Sequence, residues 1–242
     1  MVKIFSDAEG LAQASARLFV EQSQRSIERS GKFRVVLSGG NTPVLTYHLL
    51  AAGTFRNQVD WSRVHIFWSD ERCVPPADER SNYGMVQRVL LSYVGIPETQ
   101  IFPIIGAQNP EAAATEYESM LRKYFGNGPA QFDLVYLGLG DDGHTASLFP
   151  GSAGLLEKER WVTVGQRGPE GPARITLTTE ILNRTEMAVF LVSGEKKSEI
   201  LNRVLTAKEP DPSLPAGWIQ PLGGELIWFV DLSASVQLKG ST

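Results

Sequence analysis

A chain of 242 residues with 42% hydrophobic side chains can build one large α/β domain or two small ones around a substantial core. Its formal net charge of −4, with no long run of Lys or Arg, argues against nucleic acid or an anionic membrane as the main partner. A small anionic substrate stays possible, since a few basic side chains in one pocket suffice. Cys73 is the only cysteine, which excludes an intrachain disulfide and a cysteine-based metal site. The N-terminal residues lack a signal-peptide core and no stretch has membrane-spanning length, so the expected setting is reducing and cytoplasmic.

In chain order, Ser6 with Glu9 reads as a capping box that opens a long helix, with Ala8, Leu11, Ala12, Leu18 and Phe19 on one face. Phe33 to Leu37 reads as a short apolar strand, followed by the turn Ser38–Thr42 and a helix with Pro43 in its first turn. Val64 to Trp68 is the next strand, and residues 69–84 form its long polar exit loop. Asn82 to Tyr93 reads as helix, Ile101 to Ile105 as a short strand, and Pro110 to Phe125 as a helix between Pro110 and Gly126. Phe132 to Leu137 is a nearly continuous apolar run, as expected of a central parallel strand. Further strands are expected at Trp161–Val164, Arg174–Leu177, Met187–Val192 and Ile227–Val230, with a last helix at Ser198–Leu205. The Gly- and Pro-rich segments Gly165–Pro172 and Pro210–Gly217 read as surface loops, and Trp218 to Glu225 as an unassigned loop. Strand alternates with helix, which predicts an α/β fold: a modified doubly wound, mainly parallel sheet with helices on both faces, in one domain over residues 1–242.

Two glycine turns at strand ends carry the chemistry. Ser38-Gly39-Gly40-Asn41-Thr42 leads from a strand into a helix, where glycines allow close backbone approach and free N–H groups attract an anion. No Lys follows the glycines, so this is not the nucleotide P-loop; an ordinary strand-to-helix turn is the other reading. Gly138, Gly140 and Gly143 match the dinucleotide fingerprint, but Asp141 and Asp142 inside the turn would repel a pyrophosphate. In the same turn Asp142 lies two residues from His144, close enough to orient an imidazole and raise its basicity; a histidine capping a turn is the bland alternative. His48 and His65 read as structural, and three scattered histidines make no metal site. Asp70-Glu71-Arg72 ends another strand, Arg174 opens one, and Lys196-Lys197 opens a helix; each also reads as solvated surface charge.

Taken in order, LSGGNTP, FWSDERCVP with SNYGM, LGLGDDGHTASLFPGS, RITLT and FLVSGEKK resemble the 6-phosphogluconolactonase family, within the wider group that includes glucosamine-6-phosphate deaminases. Asn41 departs from the pattern, where the family more often has Ser. The resemblance implies hydrolysis of 6-phospho-D-glucono-1,5-lactone to 6-phosphogluconate in the oxidative pentose phosphate route, without a cofactor or metal. It implies His144 as general base with Asp142 as its partner. It also implies a substrate pocket of Ser38, Gly39, Gly40, Asn41, Thr42, Asp70, Arg72, Arg174 and Lys197, with Asp70 near the sugar hydroxyls. The implied partner is a small sugar-phosphate lactone, with no nucleic acid or membrane, and the implied state is monomer or weak dimer. Two rival readings are a deaminase of the same fold and a sugar-phosphate-binding regulator without catalysis. Deaminases read Asp-Glu-Tyr in the second loop and carry a Glu five residues after the histidine; here those positions hold Arg72 and Phe149. Regulators of that kind usually carry a DNA-binding segment, for which this acidic chain is expected to have no room before its first sheet strand, and the retained His144 and Asp142 favour an enzyme.

Overall fold

The computed structural model describes residues 1–106, 109–128, 130–166 and 172–238. The central part of the Gly165–Pro172 segment lies outside the described residues.

The elements follow in order: β1 (Val2–Phe5), α1 (Ala8–Ser30), β2 (Phe33–Leu37), α2 (Thr42–Ala51), the single turn α3 (Gly53–Arg56), β3 (Val64–Trp68), β4 (Asp70–Arg72) and α4 (Asn82–Val89). Then come β5 (Ile101–Phe102), α5 (Pro110–Phe125), β6 (Leu134–Gly138), β7 (Val162–Gln166), β8 (Ala173–Leu177), α6 (Thr179–Leu182), β9 (Met187–Val192), α7 (Ser198–Thr206) and β10 (Glu225–Asp231). Seven strands form one sheet in the order β1-β10-β9-β6-β2-β3-β5. Every pairing in it is parallel. Parallel strands need crossovers, and right-handed crossovers put α1 and α2 on one face of this sheet and α5 and α7 on the other.

The central strands are apolar because both of their faces are covered. Val35 to Leu37, Leu134 to Leu137 and Ala188 to Phe190 are all fully buried, and Phe190 stacks on Trp228 of β10 at 3.9 Å between ring centroids. A glycine closes one helix and an asparagine opens another. Gly31, at φ 76°, returns its N–H to Ile27 after α1, and Asn109 caps Ala112 at the start of α5.

Several expectations need correction. The cap of α1 is Asp7, which accepts from Gly10 N at 2.8 Å; Ser6 only donates to Asp7, one residue too early for a capping box with Glu9. The loop after β3 begins as strand, since β4 pairs antiparallel with β8, and β8 with β7, in a separate three-stranded sheet. β7 and β8 therefore do not join the parallel sheet. α4 stops at Val89 and continues as a tighter turn at Leu91–Tyr93. β5 ends at Phe102, because Pro103 has no N–H to donate to the ladder. Segment 210–217 is not a surface loop throughout: Leu214, Pro215 and Ala216 are buried. The unassigned stretch after it leads into β10, which begins at Glu225.

Sequence order reverses between β2 and β6. β2 leads through α2 to β3 on one side, while β6 leads to β9 and β10 on the other. The loops leaving these two adjacent strands part from each other, and in open α/β sheets the crevice so formed is where ligands bind.

Candidate active site

The two loops flanking that crevice are the two glycine turns. Gly40 has φ 89°, a backbone conformation that favours glycine. A Cβ on Gly39 would lie 1.8 Å from Asn82 Oδ1, so a larger residue would displace the Asn82 side chain. The Tyr47 hydroxyl, buried and pushed up in pKa by desolvation, fastens the turn by accepting from Ser38 N and donating to Ser38 O. Asn41 precedes α2 without a side-chain capping bond, and the Ser38 hydroxyl is buried with no hydrogen-bond partner. A buried hydroxyl without a partner carries a desolvation cost that a bound acceptor removes.

The second turn closes on itself. Gly143, at φ 86°, donates to Gly140 O, and Gly140 N donates to His144 O at 2.8 Å. One carboxylate oxygen of Asp142 accepts from His144 N at 3.1 Å and pairs with His144 Nδ1. That contact assigns the Nδ1 proton to the Asp142 side and leaves Nε2 as the basic nitrogen. The imidazole lies over Gly140, whose Cβ would stand 1.9 Å from Nδ1. Its ring packs on Phe149 at 4.8 Å. Ala216 N donates to Gly143 O, so the buried part of segment 210–217 supports the His144 turn from behind. No helix follows Gly143, so the glycine pattern lacks the helix N-terminus that a dinucleotide site requires.

β4 and β8 bring the remaining groups. Asp70 is buried; its carboxylate accepts from Ser147 Oγ at 2.5 Å and Asn82 Nδ2 donates to its carbonyl at 2.8 Å. Arg72 stands directly opposite Arg174 in the ladder, and the Arg174 guanidinium lies 5.4 Å from the Phe149 ring centre. Phe149 therefore touches both the imidazole and this cation. Beyond β9, Lys197 pairs with Asp141 at 2.5 Å. Residues 38–42, Asp70, Arg72, Arg174, Lys197 and His144 all line one cleft of about 370 Å³, with Asp142 paired to the imidazole.

Sequence reasoning assigned neither Asn82 nor Glu71 to the site. Asn82 lines the cleft, and its place in the SNYGM segment was the one signal for it. Glu71 is buried to 2% exposure and accepts from Ser81 Oγ, Asn82 N, Tyr83 N and Arg72 N. Burial pushes its carboxyl up, against these four hydrogen bonds. It holds the start of α4 against β4, a contact ten to twelve residues away in sequence that no local pattern announces. Of the other histidines, His65 contacts Tyr124 and Phe102, and neither it nor His48 lines the cleft.

The family model for glucosamine-6-phosphate isomerases/6-phosphogluconolactonase matches residues 6–228. The chain belongs to this family. It is 42% identical to a 6-phosphogluconolactonase of Synechocystis over 89% of this chain and 88% of the other. It is 36% identical to one of Nostoc over 98% of each. A solved 6-phosphogluconolactonase from Thermotoga maritima superimposes with a TM-score of 0.83 at 31% identity, covering 96% of this chain and 99% of that one. A monomeric glucosamine-6-phosphate deaminase at 19% identity and a TM-score of 0.81 shares the fold.

Proposed function

We propose that the chain hydrolyses 6-phospho-D-glucono-1,5-lactone to 6-phosphogluconate, with His144 as general base. The observation that carries this reading is the pairing of His144 with Asp142 in a cleft that also holds the opposed pair Arg72 and Arg174. Like charges directly opposite each other destabilise a strand pair, and a dianion between or beside them reverses the sign. The wide identity to 6-phosphogluconolactonases over nearly the whole chain supports the same substrate.

The lactone is an activated ester. Neutral His144 accepts a proton at Nε2 from a water as the water oxygen bonds to C1. The tetrahedral intermediate collapses by breaking the C1–O5 bond, and His144 returns the proton to the departing ring oxygen. The new carboxylic acid then loses its proton to solvent. Asp142 stabilises the imidazolium in between, a contribution of about 10²–10⁴-fold for the base as a whole. Arg72, Arg174, Lys197, the Ser38 hydroxyl and the Gly39–Thr42 backbone hold the phosphate, whose binding energy orients C1. Asn41 offers an amide where the family more often offers a hydroxyl. Asp70, fixed by Ser147 and Asn82, accepts from the sugar hydroxyls.

This reading takes residues 1–242 as one domain, working in the cytoplasm as a monomer or weak dimer; a single buried core and the absence of a membrane-length apolar helix among the described residues are consistent with it. The deciding experiment is hydrolysis of freshly prepared lactone, corrected for spontaneous opening. No rate above background removes the proposal.

A further inference from the structure

One ion pair has both partners on the cleft wall. Lys197 Nζ lies 2.5 Å from Asp141 Oδ1, and the two side chains are 24% and 71% exposed. The ammonium is the enclosed partner and the carboxylate the solvated one. The base of Lys197 is fixed from below. Asp231, at the end of β10, accepts from Ser193 Oγ at 2.5 Å and from Gly194 N at 3.1 Å, which sets the short turn Glu195–Lys197 before α7. Asp141 stands on the outer side of the Gly140–Gly143 turn. Two adjacent carboxylates thus face different partners: Asp142 the imidazole, Asp141 the ammonium.

An anion in this cleft meets Arg72, Arg174 and Lys197, but Lys197 already has a carboxylate on it. We propose that Asp141 is a positioning residue that competes with the substrate's phosphate for Lys197, so that the lysine is released to a ligand carrying more charge than one carboxylate. The inference rests on the sugar-phosphate reading of the cleft. A phosphate monoester carries about −1.5 to −2 charges at neutral pH and three acceptor oxygens, and so outbids one carboxylate. A neutral sugar or a lone carboxylate does not. Exposed ion pairs shift an equilibrium by about 1.4- to 5-fold. A binding partner that first has to break such a pair loses the same factor in apparent affinity.

The test is calorimetric binding of D-glucitol 6-phosphate, an unreactive ligand that keeps the phosphate and lacks the lactone. It is applied to the wild-type protein, Asp141→Asn, Lys197→Met and the double variant. Asp141→Asn should bind about two- to fivefold more tightly, with unchanged Tm. The gain should shrink in the Lys197→Met background. Weaker or unchanged binding by Asp141→Asn overturns the competition and makes the carboxylate a strut for the lysine. A full gain without Lys197 also overturns it, leaving simple repulsion. No turnover is involved, so the outcome is separate from the catalytic reading. A wild-type protein that binds glucitol 6-phosphate without opening the lactone defeats the proposed function and leaves this inference standing; one that binds no phosphorylated sugar defeats both.

Discussion

Arg72 and Arg174 occupy directly opposed positions of the β4–β8 pair, on the wall of the cleft that holds His144. Two guanidinium groups in register are a poor arrangement for a strand pair and a good one for a dianion. Arg174→Ala and Lys197→Ala should each lower kcat/KM for the phosphorylated lactone by about one to two decades, as expected for loss of a charge-assisted hydrogen bond worth about 1.5–3 kcal/mol. Glucono-lactone without phosphate should be turned over by the variants almost as by the wild type. Equal losses on both substrates would assign these residues to the fold or the chemistry.

His144→Ala should lower kcat by about 10²–10⁴-fold with the thermal unfolding midpoint preserved. Asp142→Asn should also lower it, because an amide can hold the ring but cannot stabilise its charged form. Near wild-type turnover by His144→Ala would remove the imidazole from the reaction.

Gly140→Ala is a test of geometry. The added methyl falls 1.9 Å from His144 Nδ1, so the imidazole must leave Asp142. The backbone at Gly140 is not in the left-handed region, so the fold should tolerate the change. A large fall in kcat with little change in KM is expected from steady-state kinetics, and an active Gly140→Ala enzyme would contradict the placement of the ring.

A fourth prediction concerns pH and stability. His65 is held down to about 4 from 6.5, first by desolvation and then by Lys32 and Arg34. The unfolded chain therefore takes up this proton before the folded one. Stability should fall as pH drops from about 6.5 toward 4, with a limiting slope of about 1.4 kcal/mol per unit. Because the ring is only half-buried, about 1 kcal/mol between pH 7 and pH 5 is the reasonable share. Urea denaturation of wild type and His65→Gln at the two pH values isolates it; an identical pH dependence in the variant would assign the loss to other groups.

What the sequence disclosed and what it hid follow from how each element is stabilised. β9 is apolar at all six positions and buried at all six, so its strand could be read without neighbours. β1 could not, because Val2, Lys3 and Ile4 are exposed at the sheet edge and their pairing comes from β10, more than two hundred residues away. β4 is three charged residues with poor strand propensity; its conformation is imposed by the ladder to β8. The cleft residues were legible as types at strand ends. Their convergence was not, since Arg72 and Arg174 meet through an antiparallel sheet that the alternating pattern does not signal. The buried core of segment 210–217 was hidden by its Pro and Gly content, which marks irregular backbone and says nothing of burial.

Asp231 sits on the last strand and grips Ser193 and Gly194, the residues from which the Lys197 turn departs. During synthesis, every other side chain assigned to the cleft is already in the nascent polypeptide by Lys197, yet the grip of Asp231 on Ser193 and Gly194 forms only once β10 has emerged and inserted between β1 and β9. A premature stop between residues 217 and 225 thus keeps every proposed site residue and the Ala216–Gly143 contact in the chain while removing the strand that fixes the base of the Lys197 turn.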